Sequence, residues 1–275
     1  MSQSQSETGP NNGLILEMGQ KDCTMTFLPN EGDRHVVKLG VLKTLVNLLR
    51  TLTIANHNME RVTFKSSAPE GFGYGLDMSI MISDSPRESP EGMKLLKELY
   101  LALADPGRKF KTVAIADQGV IGNESLTILA LCDLSIMHSG VRAFNDRVSK
   151  WNSFEVGMAA LSGNPPFGDL PLYFLEGESE LGAMGLANLG LVHEVYGDGV
   201  DDQQIKEIVD VTTRIHAKRR MSTRFSTQNH DVFSRSLEDA IRYWITAMSQ
   251  DENLIRQVRA GGGLGETDLV TPSWR

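Results

Sequence analysis

The sequence has little cysteine, no long apolar run and no surplus of basic charge, and each shortage removes a class of protein. Its two cysteines, Cys23 and Cys132, are too few and too far apart for a disulfide framework, so a reducing cytoplasm is the expected location. No apolar run approaches the ~18 residues that a membrane helix needs. The N-terminus lacks a charged stretch followed by an apolar one, so a soluble, unexported protein is expected, without a membrane partner. A net charge of −8 argues against nucleic acid as a partner, because neutralising phosphates takes clustered Lys and Arg. No His/Cys/Asp cluster has metal-ligand spacing, so no metal is expected. Gly71 and Gly73 are followed by Leu76 where a dinucleotide fingerprint has its third glycine, and its βα context is missing, which removes nicotinamide and flavin. Ser125, His138 and Asp146 share one region, but Ser125 has no Gly-x-Ser-x-Gly elbow, so a hydrolase triad is disfavoured. No repeat recurs at a fixed period.

What remains is 275 residues with 40% hydrophobic content, enough for one large domain or two modest ones. Residues 1–12 are rich in Ser, Gln, Gly and Pro without apolar periodicity, which predicts a disordered arm. Residues 14–18 and 23–28 read as an opening hairpin. Residues 36–55 place Leu39, Leu42, Leu45, Val46, Leu48 and Leu49 at helical spacing. A strand over 61–65 and a helix over 90–103, opened by Ser89-Pro90-Glu91, come next. A strand over 111–116, a short helix from about Glu124 and a strand over 134–137 complete a repeated strand-strand-helix rhythm. Such a rhythm predicts an α/β fold, a spiral of parallel strands wrapped by helices. After Phe144 the pattern loosens, and helices are predicted from near Pro171, over 183–189, over 203–216 and over 231–250, with a strand over 191–196 between the second and third. Residues 260–275, with three consecutive glycines and Pro272, read as a mobile tail.

Two stretches carry the chemistry. Gly71-Phe72-Gly73-Tyr74-Gly75-Leu76-Asp77 follows the strand at 61–65, and Asp117-Gln118-Gly119 through Gly122-Asn123-Glu124-Ser125 follows the strand at 111–116. Each places tight turns, with backbone N–H groups outside strand pairing, just past a strand end. Two such turns brought together make a two-donor clamp for a carbonyl oxygen that gains negative charge.

At these residues the chain resembles the crotonase superfamily, the enoyl-CoA hydratases and isomerases. Tyr74-Gly75-Leu76-Asp77 is similar to the family's Ser/Ala-Gly-Ala/Leu-Asp segment. Ile115-Ala116-Asp117-Gln118-Gly119 and Cys132-Asp133 stand at the spacing of its Ala-Val-Asn-Gly and Cys-Asp, with Asp117-Gln118 departing from the usual residues. Leu189-Gly190-Leu191-Val192-His193-Glu194-Val195 looks like its Ala-Gly-Leu-Val-x-x-Val. The resemblance runs from about Gly13 to Gly261. It implies a crotonase-like spiral of ββα modules over 13–198 and a C-terminal helical trimerisation region over 199–260, with a flexible tail over 261–275. It also implies assembly as a homotrimer or a dimer of trimers.

Carried across residue by residue, the resemblance makes the N–H groups of Leu76 and Glu124 the oxyanion donors, with Gly75 and Asn123 as their neighbours at the substrate. The second donor would sit at a helix N-terminus, where the macrodipole adds to the stabilisation. Thr127 stands where hydratases have their first glutamate, and Phe144-Asn145-Asp146-Arg147-Val148 replaces the segment with the second, so ordinary glutamate-pair hydration is not expected. The replacement acids are Glu124, whose side chain either moves a proton or caps its helix, and Asp146, which either enters the site or forms a surface turn. Thr127 and Asn145 would line the substrate. Met78, in Met78-Ser79-Ile80-Met81-Ile82, belongs either to an adaptable acyl pocket or to the core. His138 reads as a structural residue, His193 as a surface one, and His230 could reach a neighbouring site. His216-Ala217-Lys218-Arg219-Arg220 is either a solvated helix face or a docking point for CoA phosphates or a carrier protein.

The expected activity is that of an acyl-thioester lyase or isomerase working through an enolate, by dehydration, double-bond isomerisation or decarboxylation in a specialised pathway. Its substrate would be a CoA or acyl-carrier-protein thioester, and no cofactor is expected. Two alternatives stay open: a CoA-independent β-diketone C–C hydrolase, and a non-catalytic partner of another crotonase-type enzyme.

Overall fold

The computed structural model describes residues 5–7, 13–29, 36–54, 58–69, 75–76, 90–144, 156–157, 160–161, 180–218 and 227–250. The opening hairpin forms as expected from β2 (Leu14–Met18) and β3 (Asp22–Phe27), with Leu14 opposite Phe27 and Met18 opposite Cys23. Upstream, β1 (Gln5–Glu7) pairs antiparallel with β2. These three residues fall within the arm expected to be disordered; the backbone edge of β2 offers pairing partners that composition does not register.

From β3 onward the chain repeats one module. A strand of the main sheet leads to a short strand in a smaller sheet and then to a helix. β4 (Val36–Val37) and α1 (Leu39–Ile54) follow β3; β5 (Arg61–Ser66) leads to β6 (Gly75–Leu76) and α2 (Glu91–Ala104). β7 (Lys111–Ala116) leads to β8 (Val120–Ile121) and α3 (Asn123–Leu131), and β9 (Leu134–His138) leads to β10 (Arg142–Phe144). Then come β11 (Glu180–Gly182), α4 (Ala183–Asn188), β12 (Glu194–Tyr196), α5 (Asp202–Lys218) and α6 (Thr227–Gln250). The main sheet has the order β1-β2-β3-β5-β7-β9-β12 and is parallel from β3 to β12. The short strands pair among themselves, β4 with β6 and β8 with β10, both parallel, while β11 closes antiparallel on β10. The helix expected over 36–55 yields its first two residues to β4.

Burial explains the near-continuous apolar runs of the parallel strands, which are covered on both faces. In β7, Ala114 and Ala116 turn into the large core beneath the helices, whereas Val113 and Ile115 face the layer made with α5. In β9, Leu134 and Ile136 join Val209 and Tyr196 on that second face, and Met137 joins the first. Helix α1 buries Val41, Leu42, Leu45, Val46, Leu49 and Leu52, and packs against α2. Helix α6 returns to α2 through Phe233, Leu237 and Ile241, with Lys97 Nζ bridging Glu238 at 2.6 Å. Both cysteines are fully buried, Cys132 among the core residues as expected.

The Cys-Asp pair also closes the start of β7. Asp133 Oδ2 accepts hydrogen bonds from Arg108 Nη2 at 2.6 Å, the Thr112 backbone N–H at 2.8 Å and the Thr112 hydroxyl at 3.2 Å. Arg108 also donates to the carbonyls of Ala102 and Leu103, at the end of α2, and of Phe110, just before β7. The two side chains are 2% and 10% exposed, so this is a buried ion pair with its polar atoms satisfied.

Candidate active site

The two chemistry-bearing turns meet through backbone elements. β6, which carries Gly75 and Leu76, lies against α3, whose first two residues are Asn123 and Glu124. Among the described residues β6 is paired on one side only, by β4. Successive residues of a strand point their N–H groups to opposite edges, so the other edge of β6 offers an amide. In α3 the first intrahelical bond runs from the Leu126 N–H to the Gly122 carbonyl at 3.0 Å. The amides ahead of it, Glu124 included, have no partner within the helix. Gly122 is the N-cap and has no side chain with which to satisfy them.

Helix α3 is embedded rather than amphipathic: every side chain from Ser125 to Leu131 is buried. Ser125 is 3% exposed, which sets it inside the fold rather than at an accessible nucleophile position. Thr127, at the first-glutamate position, has no exposed surface. A Cβ added to Gly157 would lie 2.5 Å from both Oγ1 and Cγ2 of Thr127, so the backbone at 157 closes directly over this side chain. Met78, Asn145 and Asp146 lie outside the described residues, as does the segment near Pro171; for Asn123 and Glu124 the backbone is described.

The second turn is built on Gly119, whose φ of 69° is a left-handed conformation that a glycine adopts without strain. Its carbonyl accepts the Arg142 N–H at 3.3 Å, joining the turn to β10. Just before it, Gln118 Nε2 donates to the Ala68 carbonyl at 3.1 Å. The neighbouring Asp117 points to a polar group at the other end of the α5 layer. The residue is exposed, yet the atoms packed around its carboxyl partly desolvate it and raise its pKa above the ordinary 3.8, opposed by its own backbone N–H and the Lys65 charge, while Asp202 pushes it further up. Tyr196 is in the same group. Its hydroxyl is buried with no hydrogen-bond partner, and burial first, then Asp117 and Asp202, push its pKa up.

An acid whose folded pKa is raised holds its proton to higher pH than it does when unfolded. The stability this contributes is present at low pH and is lost as pH rises through the raised value. Asp117→Asn is therefore expected to match the parent's melting temperature in acid and to exceed it progressively toward neutrality. A constant offset across the pH series would contradict this assignment.

Among the described histidines, His138 and His193 are held within the fold. His138 accepts the Gly140 N–H at Nδ1, 3.1 Å, meets Asp198 through Nε2 at 3.1 Å and stacks edge-on with Tyr196, the ring centroids 5.3 Å apart. His193, read from the sequence as a surface residue, is half-buried. Its Nδ1 accepts the Ser135 N–H at 3.0 Å, while the Ser135 hydroxyl donates to the Leu191 carbonyl at 2.7 Å. The strand there begins only at Glu194, so His193 lies in the connection rather than in a strand, free to turn back onto β9. His230 lies 3.9 Å from its neighbour Asp231. Among the described residues no group of His, Cys, Asp and Glu could hold a metal ion, and no helix is long and apolar enough to cross a membrane.

No family model and no curated protein matches the sequence. Solved structures do. The chain superposes on an enoyl-CoA hydratase from Bacillus halodurans with a TM-score of 0.68 at 15% identity, over 90% of this chain and 99% of that one. A second enoyl-CoA hydratase, from Mycobacterium avium subsp. paratuberculosis, gives 0.63 at 16% identity over 92% and 100%. DspI of Pseudomonas aeruginosa gives 0.60 at 16% identity and covers 98% of both chains. The chain thus has the crotonase fold, a mixed α/β architecture with a mostly parallel main sheet, as the resemblance at the two turns implied.

Proposed function

We propose that the protein is an acyl-thioester lyase or isomerase of the crotonase type, acting on a CoA or carrier-protein thioester without a cofactor. The observation that carries this reading is the apposition of β6 to α3, two backbone elements that both hold amides outside regular pairing. In this reading the thioester carbonyl oxygen accepts the N–H groups of Leu76 and Glu124. Removal of the α-proton places negative charge on that oxygen, and the clamp stabilises the enolate more than the ground state. The proton is taken by the carboxylate of Glu124 or Asp146. The enolate then collapses by expelling a β-substituent or by reprotonation at the γ-carbon. In this reading Gly75, Met78, Asn123 and Asn145 contact the acyl group. Loss of one oxyanion donor costs about 2.7–4 kcal/mol in a serine protease, another enzyme that stabilises an oxyanion, so on that scale two donors supply a substantial share of the acceleration.

Hydration by a glutamate pair is not part of the proposal. Thr127 stands at the first acid position and is buried under Gly157, which leaves no room there for a carboxylate and a water. The polypeptide would work in the cytoplasm as a homotrimer or dimer of trimers, with α5 and α6 in the subunit contacts.

Incubation with short, branched and aromatic acyl thioesters in deuterated water tests the reading. Deuterium at the α-carbon of at least one class, abolished by Glu124→Pro, which deletes the amide N–H together with the carboxylate, is the expected result. No exchange with any class, together with no binding of CoA, would leave the C–C hydrolase or the non-catalytic partner in its place.

A further inference from the structure

The two donors of the proposed clamp sit on β6 and α3, which touch, and a second tie joins the stems of the turns that lead to them. The stem of the first turn, Ser66-Ser67-Ala68, is held to β3. The Ser67 N–H donates to the Phe27 carbonyl at 2.9 Å, and the Ser66 and Ser67 hydroxyls approach the same oxygen at 3.4 and 3.3 Å. Ser66 Oγ in turn accepts the Ala68 N–H at 3.1 Å. Ala68 is fully buried, and its carbonyl receives the Gln118 carboxamide from the second turn. Gln118 is followed at once by Gly119, whose left-handed φ and bond to Arg142 define the bend into β8 and α3. The bond from Gln118 to Ala68 therefore crosses between the stems of the two turns, linking the chain that leads to Leu76 with the chain that leads to Glu124.

Resting on the function proposed above, we infer that Gln118 is a positioning residue, whose carboxamide sets the spacing of the Leu76 and Glu124 amides for a single oxyanion. The chemistry requires a donor that reaches a carbonyl across the gap. Asparagine is one methylene shorter, and an ionised glutamate presents oxygens to an oxygen. Misplacing a reacting or stabilising group by about 1 Å can cost ~100-fold in rate with little change in binding.

The test measures α-proton exchange, thioester affinity and thermal melting for Gln118→Ala, Gln118→Glu and Gln118→Lys. In Gln118→Ala, kcat for exchange should fall ~10- to 100-fold while KM and the melting temperature stay close to the parent values. Gln118→Glu should be at least as impaired, and Gln118→Lys, which restores a donor, should recover part of the rate. Full kcat in Gln118→Ala, or a rate loss matched by an equal loss of thermal stability in all three variants, would overturn the inference. An amide readout separates this outcome from failure of the functional proposal. In 15N-labelled protein, Gln118→Ala should shift the backbone resonances of both Leu76 and Glu124 even if the parent turns over no thioester. Unmoved resonances would overturn the positioning role by themselves.

Discussion

Replacing Asp133 with alanine is expected to destabilise the fold by about 3–5 kcal/mol, the usual cost of breaking a buried ion pair from one side. The loss has three parts. Arg108 keeps its charge in a site where its side chain is 2% exposed, and both the backbone N–H and the hydroxyl of Thr112 lose an acceptor. The start of β7 is tied to the end of α2 through these same atoms, so the module that delivers the second turn loosens first. Chemical denaturation of Asp133→Ala, Arg108→Met and the double variant checks this as a thermodynamic cycle. The double variant should recover only the part due to the stranded Arg108 charge, because the Thr112 N–H and hydroxyl and the carbonyls of Ala102, Leu103 and Phe110 lose these side-chain partners. A single-variant effect under about 1 kcal/mol, the value of an exposed pair, would mean the clamp is not structural.

Thr127→Glu, which installs the acid that hydratases use, is expected to weaken the protein rather than to create a hydratase. Two penalties add: overpacking costs about 1–3 kcal/mol, and an unpaired buried carboxylate costs several more. Gly157 cannot yield by becoming smaller, and its backbone already stands over the threonine side chain. The loss should deepen as pH rises, because a carboxyl in a dry site folds most readily when protonated. Thr127→Ser, which keeps the hydroxyl, should stay within about 1.5 kcal/mol of the parent. Melting curves across pH, paired with a crotonyl-thioester hydration assay, decide the matter. A stable Thr127→Glu protein that hydrates the substrate would show that the position is open and would revive the glutamate mechanism.

The fold was legible in the sequence wherever one segment carried its own pattern. Leu42, Leu45, Val46 and Leu49 announce α1 because one face of a helix repeats locally, and the apolar run over 111–116 announces β7 because a strand buried on both faces needs no alternation. Strands of two or three residues escape such reading. Val36–Val37 is a strand through pairing with Gly75–Leu76, and Val120–Ile121 through pairing with Arg142 and Ala143, partners that lie far along the chain. β1 escapes for the same reason. Of the candidate site, Leu76 was marked by the Tyr74-Gly75-Leu76-Asp77 segment and Glu124 by the second glycine turn, while Thr127 was counted out from Gly119 and Cys132-Asp133. That Thr127 is sealed by Gly157 could not be read in this way, since it depends on a segment with no periodicity of its own. Gln118 was visible only as an unusual residue at a marked place, and its partner Ala68 belongs to another turn. Arg108 left one faint signal, a charge wedged between the end of an apolar helix and the start of an apolar strand.

The complete burial of Cys23 and Cys132 has a practical consequence for handling the molecule. The Cys23 thiol is pushed up to about 12 by burial alone, so at neutral pH it is almost wholly protonated and out of reach of alkylating reagents. A single cysteine introduced at Ile54, the 83% exposed last residue of α1, should accept a maleimide dye while the native pair stays unmodified. The slow labelling of Cys23 that remains becomes a clock for how often the first two modules of the spiral come apart.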